Sequence, residues 1–303
     1  MKISIVIPNY NGKEILEKNL PKILDAAKDA EVIIVDDAST DNSLKMLADK
    51  FPHIKVIKRT NNSGFATSVN DGVKASSGDL VLLLNSDVVP ENNFLKPLSK
   101  HFSDPQVFAV GSLQYSSNWK GKDRHGRGIG EFKKGFLVHG PGALNKTNTL
   151  WVFGGCGLYR KSLWEKFGGM ETLYNPFYWE DIDLSYRALK AGYKLVFEPE
   201  SVVYHQQEQG AIRSSYAQSE IKTIAYRNQI IFVWLNITDL SFLISHLFYL
   251  PYTLVKTIHK GDDAFFKGLI QAIVKLPQII RKRLTRNRFK KISDQMILTA
   301  NKS

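Results

Sequence analysis

The 303-residue chain is poor in cysteine: Cys156 is its only one, which excludes an internal disulfide framework and fits a reducing compartment. It also lacks Gly-x-Gly-x-x-Gly after its first apolar run. Pro8-Asn9-Tyr10-Asn11-Gly12 stands there instead, which argues against a nicotinamide-binding site. No run is long enough to cross a bilayer. Between Arg227 and Lys256 the only formal charge is Asp239, and the uncharged piece Leu240–Val255 has 16 residues and contains Pro251, against the roughly 20 needed. Internal repeats and low-complexity tracts are absent. Met1-Lys2 leads directly into Ile3-Ser4-Ile5-Val6-Ile7-Pro8, too short for the apolar part of a leader, so no signal peptide is expected. Acidic residues are scarce near the end. From Lys256 onward twelve Lys/Arg face three Asp/Glu, so this tail holds +9 of the net +12.

What is present alternates. Residues 2–7, 31–35, 54–57 and 80–84 read as strands; the spacing between them predicts helices over 13–28, after Asp41/Asn42, and over 65–75. Four alternations within about 90 residues predict an α/β fold around a doubly wound, mostly parallel sheet. The organising strand is Leu80–Leu84, five aliphatic residues in a row, apolar on both faces. Polar clusters close three of the strands: Pro8–Asn11, Asp36-Asp37 and Asn85-Ser86-Asp87. The carboxyl edge of an open α/β sheet is where ligands bind, and Asp87 there can meet a hard divalent cation and, through it, phosphate oxygens. A helix over 90–102 and a strand over 107–113 follow. Residues 115–150 are rich in glycine, including Gly121, and read as a long irregular, functional loop. Trp151–Arg160 reads as a strand broken by close backbone approach, 181–191 as a helix, and 193–197 and 201–204 as two short strands, the second ending at His205. The tail adds apolar residues at helical spacing over 264–284, then the basic run 281–291. An apolar helical stretch followed by cations fits an anionic membrane surface. Without interleaved aromatic residues it does not read as a nucleic-acid site.

Taken in order, these motifs resemble family 2 glycosyltransferases. They are Pro8-Asn9-Tyr10-Asn11, Asp36-Asp37-Ala38-Ser39-Thr40-Asp41, Gly64-Phe65-Ala66 with Asn70 and Gly72, and Asn85-Ser86-Asp87. Downstream come Trp179-Glu180-Asp181-Ile182-Asp183, Arg187–Tyr193 and Val203-Tyr204-His205. The resemblance covers roughly residues 1–235 and is greatest to the bacterial branch with rhamnosyl- and galactofuranosyl-transferases. It implies the GT-A fold, a Rossmann-like sheet flanked by helices, over 1–235. Residues 236–303 form a helical, basic appendage.

The resemblance also implies roles. A UDP- or dTDP-linked sugar donor is held by Pro8, Asn9, Tyr10, Asp36, Asp37, Asn62, Gly64, Asn70, Asn85, Ser86 and Asp87. The two aspartates can accept hydrogen bonds from a pyrimidine N3–H or a ribose hydroxyl, although Asp37 as a plain helix cap is the competing reading. Asp87 and His205 match the family's metal ligands, for Mg²⁺ or Mn²⁺, while the family's first motif aspartate is Asn85 here. Asp181 matches the general base. The plainer reading of Glu180, Asp181 and Asp183 is complement to a helix dipole, and that dipole is expected to keep Asp181 ionised. Gly154, Gly155, Cys156, Trp179, Glu180 and Asp183 match the acceptor and sugar pocket. Cys156 lacks any relay that would make it a nucleophile. The implied enzyme is an inverting glycosyltransferase that acts on a glycan or lipid-linked acceptor. It is cytoplasmic, peripherally associated with the inner face of the cell membrane, and has no nucleic-acid partner. The rival is a membrane-attached, non-catalytic relative or partner subunit that binds the nucleotide sugar.

Overall fold

A computed structural model describes residues 1–116, 124–206, 215–286 and 289–302; Gly121, Asn287 and Arg288 lie outside them. Strand β4 (Leu80–Leu84) is buried along its whole length, and the sheet is built outward from it. On one side β4 pairs in parallel with β1 (Ile3–Asn9), β1 with β2 (Glu31–Asp36), and β2 with β3 (Lys55–Lys58). On the other side β10 (Cys156–Arg160) runs antiparallel between β4 and β6 (Val107–Ser116). Beyond β6, β11 (Lys194–His205) is parallel to β6 and antiparallel to β5 (Val88–Pro90). With β7 (Arg124–His125) on β6, the sheet has nine strands among the described residues.

Alternation with a period of two sorts these strands' side chains onto two covers. Ile5, Ile7 and Leu82 pack with Leu16 and Leu20 of helix α1 (Lys13–Ala26), alongside Met46 and Leu47 of α2 (Ser43–Lys50). Val6, Val81 and Leu83 pack with Val69 and Val73 of α3 (Phe65–Ala75) and with Leu163 and Trp164 of α5 (Lys161–Phe167). The helix expected over 90–102 is shorter: α4 spans Leu95–Lys100 and closes in a 3-10 turn, His101–Ser103.

Two expectations change in the second half. Residues 115–150 are not loop throughout, because β8 (Gly128–Lys133) and β9 (Phe136–Pro141) form a hairpin. The glycines there serve close packing: a Cβ on Gly128 would lie 2.3 Å from the Trp151 ring. The two short strands predicted over 193–204 are one strand, β11, with an irregularity between Glu198 and Val202. It falls at Pro199, which has no N–H to give a ladder.

Among the described residues six further helices follow: α6 (Glu180–Lys190), α7 (Gln218–Asn236), α8 (Leu240–His259), α9 (Ala264–Val274), α10 (Leu276–Arg286) and α11 (Asp294–Ala300). They share a third core, in which Phe265, Ile279 and Ile297 join Trp179, Ile182 and Tyr186 of the α6 region. Polar ties fix the same contact. Lys190 Nζ donates to Asp294 at 2.8 Å, and Arg286 donates to both Asp183, at 2.7 Å, and Glu171, at 2.8 Å.

Asp183 is the hub of these ties. Its carboxylate is fully buried and accepts from Tyr174, Arg187, Asn236 and Arg286. Burial pushes its pKa up, but the Arg286 and Arg187 guanidiniums pull it further down, leaving it well below the usual carboxylate range. Breaking a buried pair strands the partner charges. Asp183→Asn is therefore expected to destabilise the fold by about 3 kcal/mol, read as a lower denaturant midpoint at unchanged slope. A change under about 0.5 kcal/mol, the size of an ordinary surface substitution, would contradict this role.

Candidate active site

Strands β1, β2 and β4 end at one edge, and a cavity of about 660 Å³ opens there. Such an edge is where the polar ends of a parallel sheet meet loops free to diverge. Of the residues singled out from sequence, Pro8, Asn9, Tyr10, Asp37, Asn62, Gly64, Asn85, Ser86 and Asp87 line the side built by these strand ends. Gly154, Gly155, Trp179, Glu180, Asp181 and His205 line the rest.

Four others lie elsewhere. Asp36 is fully buried; it accepts from Asn9 Nδ2 at 2.9 Å and from the Ser39 N–H at 3.0 Å, so it positions the wall without facing the cavity. Asn70 is turned to Met170, donating to its carbonyl and accepting from its N–H. Cys156 points into the core, where burial pushes its thiol up to about 12. Asp183 faces the arginines behind α6. The expected pocket roles of Cys156 and Asp183 are corrected accordingly: their side chains belong to packing and to the ion cluster.

Asp37 does face the cavity, but its oxygens are engaged. They accept from the backbone N–H groups of Ser63 and Gly64 and from Arg59 Nε at 2.9 Å, which pins the loop carrying Asn62. Asn85 sits at the turn after β4 with its N–H on the Gly155 carbonyl, 3.0 Å away. A Cβ on Gly155 would come within 2.6 Å of the Asn85 amide, so a larger residue there would displace the Asn85 side chain. The Asn85 Oδ1 atom is buried without a hydrogen-bond partner.

Asp87 and His205 come together from β4 and β11, with Oδ2 and Nε2 3.3 Å apart. His205 Nδ1 lies 3.2 Å from Gln114 Oε1. A ring proton on Nδ1, donated to this oxygen, would leave Nε2 free as a ligand. A carboxylate oxygen, an imidazole nitrogen and the orphaned amide oxygen of Asn85 fit a hard divalent cation. Among the described residues no group of three or more His, Cys, Asp or Glu could hold a metal alone. Such an ion would take its remaining ligands from a bound diphosphate and water.

Helix α6 begins at the cavity wall, preceded by Tyr178 and Trp179, both in the left-handed region (φ 69° and 79°). Backbone held there in non-glycine residues stores strain and marks functional positions. Asp181 accepts from the Gly154 N–H at 3.2 Å and from its own helix at Ile182, 2.8 Å. Burial pushes its pKa up and those N–H groups pull it back only in part, so it is raised. The expectation of a pKa held low by the helix dipole is thereby reversed: desolvation outweighs the dipole. Glu180 is buried with Oε2 unpartnered, and burial with the neighbouring Asp181 charge holds its pKa well above the ordinary value. The Trp179 ring is 5% exposed and meets His139 edge-on at 5.0 Å, so most of it is core. Sequence reasoning missed His139, Gln114, Phe153 and Tyr216, which also line the cavity. His139 lies on β9 and Gln114 on β6, strands of two separate sheets that only the tertiary packing brings to one cavity.

The model of "Glycosyl transferase family 2" matches residues 4–168. Dolichol-phosphate mannosyltransferase of Pyrococcus furiosus is 32% identical over 117 residues, 37% of this chain and 33% of that protein. O-antigen chain rhamnosyltransferase of Salmonella typhimurium is 26% identical over 222 residues, 68% of this chain and 66% of that protein. The crystal structure of GalNAc-T7 with UDP, GalNAc and Mn²⁺ superimposes with a TM-score of 0.63 at 18% identity, over 79% of this chain and 48% of that one. The GT-A fold expected from the sequence is the fold found.

The Glu180 environment has a measurable sign. Its folded pKa is raised above the unfolded value of about 4.3, so the folded state holds the proton longer, and stability is lost as pH rises through the folded pKa. Glu180→Gln removes that loss. The variant's gain in melting temperature over the parent is expected to be near zero at pH 4 and to grow toward pH 8. A gain that shrinks with pH would contradict the raised pKa.

Proposed function

The chain belongs to glycosyltransferase family 2, and we propose that it moves a sugar from a UDP- or dTDP-linked donor to a hydroxyl of a glycan or lipid-linked acceptor. We place this step in cell-surface polysaccharide synthesis at the inner face of the cell membrane. The observation that carries the reading is that Asp181 lines the same cavity as the Asp87–His205 pair. Transfer with inversion needs a base on the face opposite the departing diphosphate, and the two sets of groups reach the cavity from separate elements, Asp181 from α6 and the pair from the turn after β4 and from β11.

The residues divide the work as follows. The strand-end wall, Pro8 to Tyr10 with the loop that Asp37 pins, receives the nucleotide. Asn85, Ser86 and Asp87 meet its diphosphate. A divalent cation, Mg²⁺ or Mn²⁺, held by Asp87 and His205, would neutralise charge that gathers on the leaving oxygens. Gly154 and Gly155 leave room for the sugar, and the Gly154 N–H holds the Asp181 carboxylate in place. Asp181 takes the proton from the acceptor hydroxyl as that oxygen attacks the anomeric carbon. Its raised pKa makes it a stronger base than a free aspartate. Glu180, which keeps its proton longer, is suited to donate a hydrogen bond to a substrate oxygen. The mannosyl- and rhamnosyltransferase relatives, and UDP with Mn²⁺ in GalNAc-T7, support this assignment of substrate class and cation.

Asp181→Asn is expected to lower kcat by about a thousandfold, within the usual span for a general base, while the thermal shift produced by UDP with Mn²⁺ is kept. Unchanged turnover would remove Asp181 as base. In the parent, kcat/KM should rise with pH through an apparent pKa above the roughly 3.9 of a free aspartate, because the reactive form is the deprotonated one. Asp87→Ala and His205→Ala should each abolish the Mn²⁺-dependent part of the UDP thermal shift. Its persistence in both would remove the cation from this pair.

A further inference from the structure

The tail carries a surface that sugar transfer does not use. Along α8, Leu240, Ile244, Leu247, Phe248, Val255 and Ile258 are all more than half exposed, with Leu247 at 72% and Phe248 at 71%. They recur at spacings of three and four, which puts them on one side of a helix. Helix α9, packed beside α8, also exposes Ile270 and Val274, and α10 exposes Ile280 and Leu284.

The opposite side of α8 is tied down, so this stripe is not a core face awaiting closure by its own domain. His246 is buried there. Trp234 Nε1 donates to its Nε2 at 2.9 Å, which leaves the ring proton on Nδ1, 2.7 Å from the Gly135 carbonyl at the β8–β9 turn. Phe242 stacks on Phe132 of β8 at 4.5 Å. The hairpin held in this way runs back to the cavity, where His139 lies edge-on to Trp179 and Trp151.

Charge selects the occupant. Lys256, Lys260, Lys267 and Arg281 are exposed on the helices bearing the apolar stripe or at their ends, within a tail of net +9. A second copy would oppose cation with cation, whereas an anionic lipid layer supplies the complementary sign. Among the described residues no helix is long and apolar enough to cross a membrane. We infer that α8, α9 and α10 form a lipid-inserting face that lies in the plane of an anionic bilayer, with the hairpin wall of the cavity resting on α8. This deepens the membrane part of the reading above and does not depend on the transfer chemistry.

The test is co-sedimentation of the full chain with vesicles of phosphatidylcholine alone or with a quarter phosphatidylglycerol. Binding is expected only to the anionic vesicles, and weaker in high salt. Leu247→Ser with Phe248→Ser should reduce it at least tenfold, and so should Ile270→Ser with Val274→Ser. All four positions are exposed, and an unchanged UDP thermal shift reports that the fold and the donor site are intact. Undiminished binding by both double variants overturns this face. No binding by the parent overturns membrane attachment altogether. A parent that is a dimer in solution, and monomeric in either double variant, assigns the face to a second copy instead. Loss of the UDP shift in the parent touches only the transfer reading.

Discussion

The first turn of α6 holds three carboxylates, and the site depends on the contrast between two of them, Asp181 and Asp183, two residues apart in opposite electrostatic surroundings. Asp183 is fully buried among guanidiniums, which hold its pKa low; Asp181 is half-buried, accepts from the Gly154 and Ile182 N–H groups, and has its pKa raised by desolvation. The helix cannot shift without breaking the Asp183 cluster, so that cluster fixes where Asp181 stands. Desolvation at the cavity wall then sets how tightly Asp181 holds a proton. Position and basicity come from two neighbouring residues of the same type.

The cluster also joins the two ends of the chain. Arg286 and Lys282 reach Glu171, and Arg286 reaches Asp183, so part of the basic tail is spent inside the fold. The cations on α10 therefore divide by exposure: Arg281 is exposed, while Arg286 is largely covered by its acidic partners. The tail is a packed layer over α6 and α7, and its outer side is apolar along α8. Anything that binds there is connected through the β8–β9 hairpin to the cavity.

The sheet was legible because its signals are local: Leu80–Leu84 is apolar on both faces, and short polar turns end β1, β2 and β4. Asp87, Asp181 and His205 were found through ordered motifs. Their meeting in one cavity requires β11 to return beside β6, which no local pattern encodes. Asp36 and Asp37 show the limit more sharply. Adjacent in sequence at a strand end, they point opposite ways, and only Asp37 reaches the cavity. The sign of the Asp181 shift was also beyond sequence, because a helix dipole can be read from residue order whereas desolvation depends on what packs above it. Gln114 gave no signal for a similar reason, since β6 becomes cavity wall through pairing with β10 and β11, distant in sequence, and His139 gave none because its hairpin reaches the wall by packing on Trp151 and Trp179.

A crystal structure of the chain with UDP and Mn²⁺ tests the central claim most directly. The account predicts a cation bound by Asp87 Oδ2 and His205 Nε2, with the diphosphate between it and the α6 wall and the Asp181 carboxylate open toward the sugar side. UDP bound away from this cavity, or a cation without contact to either residue, would contradict it.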